Sequence, residues 1–281
     1  GIKTCHRHQG KAGENDKMMK QSLHIHTVLD DGRNTMEEMV RAGIEAGLES
    51  MGFSGHSWLP FGADWTMSPE AEKQYHREIK RLRKLYPEIR IYEGLELDLY
   101  SEITDYSYDY IIGSVHNLYA GREYISLDES RQILEAAIDK HFEGNSKAVA
   151  EAYFEEVGRI KNADIVGHFD LISKFNEKGD IFREADYMDA ALFAMRKLAA
   201  ANMIFEINTG AISRGYRTVP YPPENLLYEL RKLEGRITVT SDAHDTSGIA
   251  CGYEEAVYLA KQCGFDRIWL LDEGGFVPYV I

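Results

Sequence analysis

Cysteine is scarce in this chain: Cys5, Cys251 and Cys263 are three among 281 residues, and no two share a close spacing. So few do not make a disulfide framework, and a reducing cytoplasm is the natural compartment. Long apolar runs are missing as well. No stretch of about 18 apolar residues occurs, so no membrane span is expected. Basic charge is short, with 32 Lys and Arg against 46 Asp and Glu, a net charge of −14. That balance argues against a general nucleic-acid binder, which needs a basic surface for phosphate backbones. If the substrate is anionic, something inside the protein must reverse the sign locally. There is also no Pro/Ser-rich linker and no internal repeat.

What is present is enough apolar material, 44% of residues, to fill a sizeable core. The first twenty residues, GIKTCHRHQGKAGENDKMMK, carry several lysines and no apolar block. They read as a polar N-terminal extension and not as a secretory signal, with His6 and His8 incidental to it. From residue 21 onward, short strand-forming runs alternate with helical ones. Strands are expected at 22–27, 48–54, 89–97, 110–115, 164–169, 203–209, 236–242 and 267–271. Helices are expected at 34–47, 68–86, 184–201, 224–234 and 252–264, with a pair between Leu127 and Lys161. Asn34 before Glu37, Ser68 before Pro69 and Asp128 before Arg131 are candidate helix starts. Seven or eight strand–helix units predict a parallel barrel, and residues 21–281 are expected to form a single domain.

Ten histidines occur, and six fall at or just past the end of an expected strand. They are His24 and His26 in HIH, His56 in GFSGHS, His116 in GSVHN, His168 in VGHFD and His244 in SDAHD. In a strand, residues two apart share a face, so His24 and His26 point the same way. Asp31, Glu96 and Asp242 occupy equivalent places. In parallel barrels that rim carries the chemistry. A lone histidine there would read as a hydrogen-bonded structural residue, as His76 and His141 do on their helices. Nine ligand-type side chains together predict a metal centre. The number suits two or three divalent ions, of Zn, Mn or Fe type. Three ions against the three carboxylates leave a positive pocket in an acidic protein, which suits a phosphate monoester.

The ordered set HIHT, DDG, GFSGH, EGLELD, GSVH, GHFD and SDAH resembles the polymerase and histidinol phosphatase (PHP) superfamily. The resemblance runs from residue 24 to residue 244. It implies a distorted (β/α)7 TIM-like barrel with a trinuclear metal centre at the C-terminal ends of the strands. Matched position by position, it assigns metal ligation to His24, His26, His56, Glu96, His116, His168, Asp242 and His244, with Glu96 bridging. At DDG either Asp30 or Asp31 could serve. FEINTGAISRGYRTVPYPPENLL and GHFDLISKF are similar to segments of the histidinol-phosphate phosphatases. By that match Arg214 and Lys174 hold the phosphate, with Arg217 a competitor for the Arg214 role.

The chemistry so implied is hydrolysis of a small phosphate monoester, L-histidinol phosphate first among them, in histidine biosynthesis. Metal coordination brings the pKa of water toward ~7, and Glu96, Asp242 and His244 sit at the reacting centre. Other phosphate esters or nucleotides are the alternative substrates. An amidohydrolase is a rival barrel enzyme, and a non-catalytic metal-binding or polymerase-associated module is a rival of another class. Neither nucleic acid nor membrane is expected as a partner.

Overall fold

The computed structural model describes residues 21–102 and 105–281. The extension at 1–20, with Cys5, His6 and His8, lies outside the described residues. In chain order the first elements are β1 (Gln21–Ser22), α1 (Met36–Glu45), β2 (Ser50–Phe53), α2 (Pro69–Leu85), β3 (Arg90–Asp98) and β4 (Tyr110–Ser114). A hairpin, β5 (Asn117–Ala120) and β6 (Glu123–Ser126), precedes α3 (Arg131–Phe142), α4 (Ser146–Val157) and β7 (Ile165–Val166). Then come α5 (Glu184–Ala200), β8 (Ile204–Asn208), α6 (Gly210–Ser213), α7 (Glu224–Lys232) and β9 (Arg236–Thr240). The last are α8 (Tyr253–Gln262), β10 (Arg267–Asp272) and β11 (Gly275–Val280).

Seven strands pair in parallel in the order β1-β2-β3-β4-β7-β8-β9. The two edges meet just past their strands. Ile25 bridges Ala243, whose carbonyl accepts from His26 N at 2.9 Å while its N–H donates to the His24 carbonyl at 3.1 Å. The sheet is therefore a nearly closed, distorted seven-stranded barrel, with helices packed outside it. The closing bonds come from the backbone of the HIH segment itself, so closure and the placing of two histidines are one event.

The eighth expected strand is not a barrel strand. β10 pairs antiparallel with β11, and the hairpin covers the N-terminal end of the barrel. There Leu271 exchanges hydrogen bonds with the Gln21 side chain at 2.8 and 2.9 Å, and Tyr92 Oη donates to its carbonyl at 2.9 Å. Inside the barrel Tyr110 is 1% exposed, and a Cβ at Gly52 or Gly94 would overlap its ring. Its hydroxyl donates to the carbonyls of Leu23 and of Phe53, the latter at 3.0 Å. Gly94→Ala is expected to lower stability by about 1–3 kcal/mol through overpacking. A urea midpoint equal to wild type, with an unchanged slope, would show that the ring can move aside.

Two helix starts differ from expectation. α1 is capped by Thr35 and Glu38 in a capping box, while Asn34 accepts from Thr246 N at 3.1 Å. α3 is capped by Ser130, because Asp128 is engaged with Lys174. Ser68 caps α2 with Pro69 following, as expected. Cys263 is a free, buried thiol.

Candidate metal centre

All nine side chains expected to form a metal shell meet at the C-terminal end of the barrel. Glu96, 1% exposed on β3, is the hub. Its Oε2 faces His24 Nε2 at 3.1 Å, His26 Nε2 at 3.4 Å and His56 Nδ1 at 2.9 Å. Its Oε1 faces His116 Nε2 at 3.3 Å and His168 Nε2 at 2.9 Å, and accepts from Ser114 Oγ at 2.6 Å. Asp242 Oδ1 lies 3.2 Å from His26 Nε2 and 3.5 Å from His244 Nδ1. Asp31 Oδ2 reaches His244 Nε2 at 3.1 Å, and its Oδ1 lies 3.6 Å from His56 Nε2.

Many of these close approaches are not hydrogen bonds. His24 Nε2, His26 Nε2, His56 Nδ1 and Glu96 Oε2 are buried and have no hydrogen-bond partner. Buried polar atoms are seldom left so, because each carries the full cost of its lost hydration. Three imidazole nitrogens aimed at one carboxylate oxygen suit cations between them. Three groupings have ligand atoms close enough to share an ion: His24, His26 and Asp242; His56, Glu96 and His116; and His26, Asp31, His56 and His244. His168 joins through Glu96 and stands outside the three. The donor set of imidazoles and carboxylates fits Zn, Mn or Fe.

A second ring of carboxylates stands behind the first. Asp30 Oδ2 is 2.6 Å from His26 Nδ1 and accepts from His56 N at 3.1 Å, while Oδ1 accepts from Thr27 N at 2.8 Å. This separates the two aspartates of DDG: Asp31 lines the cluster, and Asp30 buttresses it. Asp98 Oδ2 is 3.1 Å from both His116 Nδ1 and His116 N. Glu206 Oε2 is 2.9 Å from His24 Nδ1. Sequence reasoning quoted Asp98 within EGLELD and Glu206 within FEINTG but gave neither a role. Their signal was weak: Asp98 shares a strand face with Glu96 two residues before it, as Glu206 does with Asn208.

Without a cation, protons would have to balance these charges. Burial alone would lower the His26 pKa, but Asp30 and Asp242 lift it to about 10. Burial likewise opposes charge on His24, which Glu206, Glu96 and Asp242 nonetheless raise well above its usual range. Glu96 and Asp242 are held well below the carboxylate range, against the effect of burial, by the imidazoles and, for Asp242, by Arg214. His244 differs. Burial, Arg214 and His26 together lower its pKa, which favours the neutral ring.

The cluster forms the floor of a cavity of about 820 Å³ that Lys174 and Arg214 also line. Arg214, just past α6, places Nη2 3.1 Å from Asp242 Oδ2 and Nη1 2.7 Å from His244 Nδ1. Lys174 Nζ donates to the Asp128 carbonyl at 2.7 Å and to its carboxylate at 3.2 Å, and lies 4.7 Å over the Tyr216 ring. Arg217 is elsewhere. It is buried, 3.3 Å from Asp170 Oδ2, with its guanidinium 4.5 Å over the Tyr221 ring. Trp65, unremarked in the sequence, sets its edge against His56 with ring centroids 4.7 Å apart.

A match to the PHP domain covers residues 22–210. The chain is 25% identical over 264 residues to a probable histidinol-phosphatase of Schizosaccharomyces pombe, covering 85% of this chain and 84% of that one. A probable histidinol-phosphatase of Deinococcus radiodurans is 26% identical over 259 residues, covering 86% and 92%. Among solved structures, a histidinol phosphate phosphatase of Lactococcus lactis, complexed with zinc, L-histidinol and phosphate, shares the fold. Its TM-score is 0.72 at 23% identity, over 92% of this chain and 98% of that one.

Proposed function

The chain belongs to the PHP domain family, and from that premise we propose that it is a metal-dependent phosphate-monoester hydrolase acting on L-histidinol phosphate. One observation carries the reading: buried, unpartnered imidazole nitrogens surround the Glu96 carboxylate on the floor of a cavity that also holds an arginine. The substrate comes from the curated relatives of known name, which this chain matches over most of its length and theirs. Residues 21–281 act in this reading as one catalytic unit, placed with histidine biosynthesis in the cytoplasm. Among the described residues no helix is long and apolar enough to cross a membrane.

The residues that would hold two to three divalent ions are His24, His26, Asp31, His56, Glu96, His116, His168, Asp242 and His244. Bound there, the ions supply Lewis acidity, polarising the phosphoryl group and making water acidic enough to react near neutral pH. The protein does the rest. Glu96 presents one oxygen to His24, His26 and His56 and the other to His116 and His168, so a single carboxylate ties both halves of the cluster. Arg214 offers a planar fork to phosphoryl oxygens. Lys174, which lines the same cavity, adds a point charge weakened by its pairing with Asp128. The net charge of −14 would repel a phosphate ester from most of the surface, and bound ions, with Arg214 and Lys174 beside them, would supply the positive charge that admits one.

Protein prepared without chelator is expected to carry two to three divalent ions per chain by elemental analysis. One ion or none in folded protein would count heavily against the centre. After reconstitution with Zn, Mn or Fe, a panel of phosphate monoesters should show histidinol phosphate preferred. Preference for a sugar phosphate by orders of magnitude would remove the substrate and leave the metal centre standing.

A further inference from the structure

We infer that Glu206 is a positioning residue that sets the tautomer of His24, a role resting on the reading of the cluster as a metal centre. Glu206 lies on β8 with no exposed surface, and both its oxygens are fully engaged. Oε1 accepts from His168 N at 2.6 Å and from Asn208 Nδ2 at 2.8 Å. Oε2 accepts from Thr240 Oγ1 at 2.8 Å and lies 2.9 Å from His24 Nδ1. Because a carboxylate only accepts, the proton of a neutral His24 must sit on Nδ1. Its Nε2 is then a bare electron pair, buried without a hydrogen-bond partner, 3.1 Å from Glu96 Oε2 and 3.7 Å from Asp242 Oδ1. That is the form in which Nε2 can ligate a metal.

The surroundings make the assignment one-way. The donor at His168 is a backbone N–H and cannot become an acceptor. Asn208 cannot turn its amide around either, because its Oδ1 accepts from Gly210 N at 2.9 Å. Two fixed donors therefore face Oε1. In a Glu206→Gln protein the amide oxygen must take that position, which puts the new NH2 against His24 and Thr240. The Thr240 hydroxyl can rotate and accept. His24 can accept only by giving up its Nδ1 proton and carrying one on Nε2, where a metal would have bound. An isosteric change of one atom thus turns a ligand into a donor pointing at the cluster.

The test compares wild type, Glu206→Gln and Thr240→Val for zinc affinity by chelator competition. Thr240→Val removes a hydrogen bond from the same Glu206 oxygen but leaves the carboxylate as acceptor for His24. Glu206→Gln is expected to weaken zinc binding by about 10- to 100-fold, and Thr240→Val by no more than about threefold. Nitrogen-15 spectra of the zinc-loaded wild type should show the His24 proton on Nδ1 and none on Nε2, a readout that does not require any variant to fold. Equal losses in the two variants, wild-type affinity in Glu206→Gln, or a proton on His24 Nε2 overturns the inference. Zinc uptake by wild type is a separate check: its failure sinks the metal reading and this inference with it, whereas equal uptake by wild type and Glu206→Gln sinks the inference alone.

Discussion

Glu96→Gln is expected to lower turnover of histidinol phosphate by about 10²- to 10⁴-fold while the barrel stays folded. The carboxylate lies within 3.4 Å of five imidazole nitrogens. Removing its charge leaves whatever cations sit there with one negative ligand fewer. Breaking a buried charge pair by removing one partner costs about 3–5 kcal/mol, which as a barrier gives roughly that range. The amide brings a second fault. Oε1 accepts from Ser114 Oγ, and an NH2 in the other position would point two hydrogens at three nitrogens that need open electron pairs. Metal content should fall with activity, and the circular dichroism of the metal-free protein should match wild type. A variant that hydrolyses an activated phosphate ester at the wild-type rate would show that Glu96 does not bridge.

The cluster was legible because its parts sit at a recurring place, the last residue or two of a strand. Parallel strands alternating with helices bring those places together whatever their distance in sequence. The same logic does not reach the outer ring. Asp98 in EGLELD and Glu206 in FEINTG lie inside matched motifs, but nothing in the motif says what each carboxylate does, and its role appears only when His116 or His24 is seen to lean on it. Arg217 shows the converse. In sequence it competes with Arg214 three residues earlier, but Asp170 and Tyr221 draw it into the core. The β5–β6 hairpin was readable and missed. Its turn, Gly121 and Arg122, has two successive positive φ angles of 59° and 70°, the requirement of a tight hairpin turn, between the alternating pairs of NLYA and EYIS. The strand at 267–271 is a strand as expected, and it is the one that the seven-stranded barrel leaves out. Its Gly274–Gly275 neighbour allows an immediate return, and an antiparallel partner then satisfies it. β1 and β7 are only two residues long; past β1 the HIH backbone closes the barrel, with Ile25 bridging Ala243 and the Ile25 carbonyl accepting from Ser54 N at 3.0 Å.

Arg214→Ala is expected to lower kcat/KM for histidinol phosphate by about 10- to 150-fold, from a charge-assisted contact of about 1.5–3 kcal/mol. Its guanidinium already stands at the metal rim, 3.1 Å from Asp242 Oδ2 and 2.7 Å from His244 Nδ1, and lines the cavity, within which a phosphoryl oxygen would compete for its N–H groups. A rise in KM alone would mean that it holds substrate and transition state equally. A fall in kcat as well would mean that the contact tightens as charge builds on the phosphoryl oxygens. Zinc content should not drop, since the change removes a cation from beside His244 rather than a ligand. Lys174→Ala should act in the same direction more weakly, because Asp128 already takes part of its charge and an ammonium lacks the planar fork. Arg217→Ala separates the two arginines. Its loss leaves Asp170 buried and unpaired, so the cost should appear as about 3–5 kcal/mol of stability, with KM of the folded fraction near wild type. Should Arg214→Ala match wild type in both constants while Arg217→Ala raises KM, the phosphate lies deeper than the cavity suggests, and the buried arginine is the one that meets it.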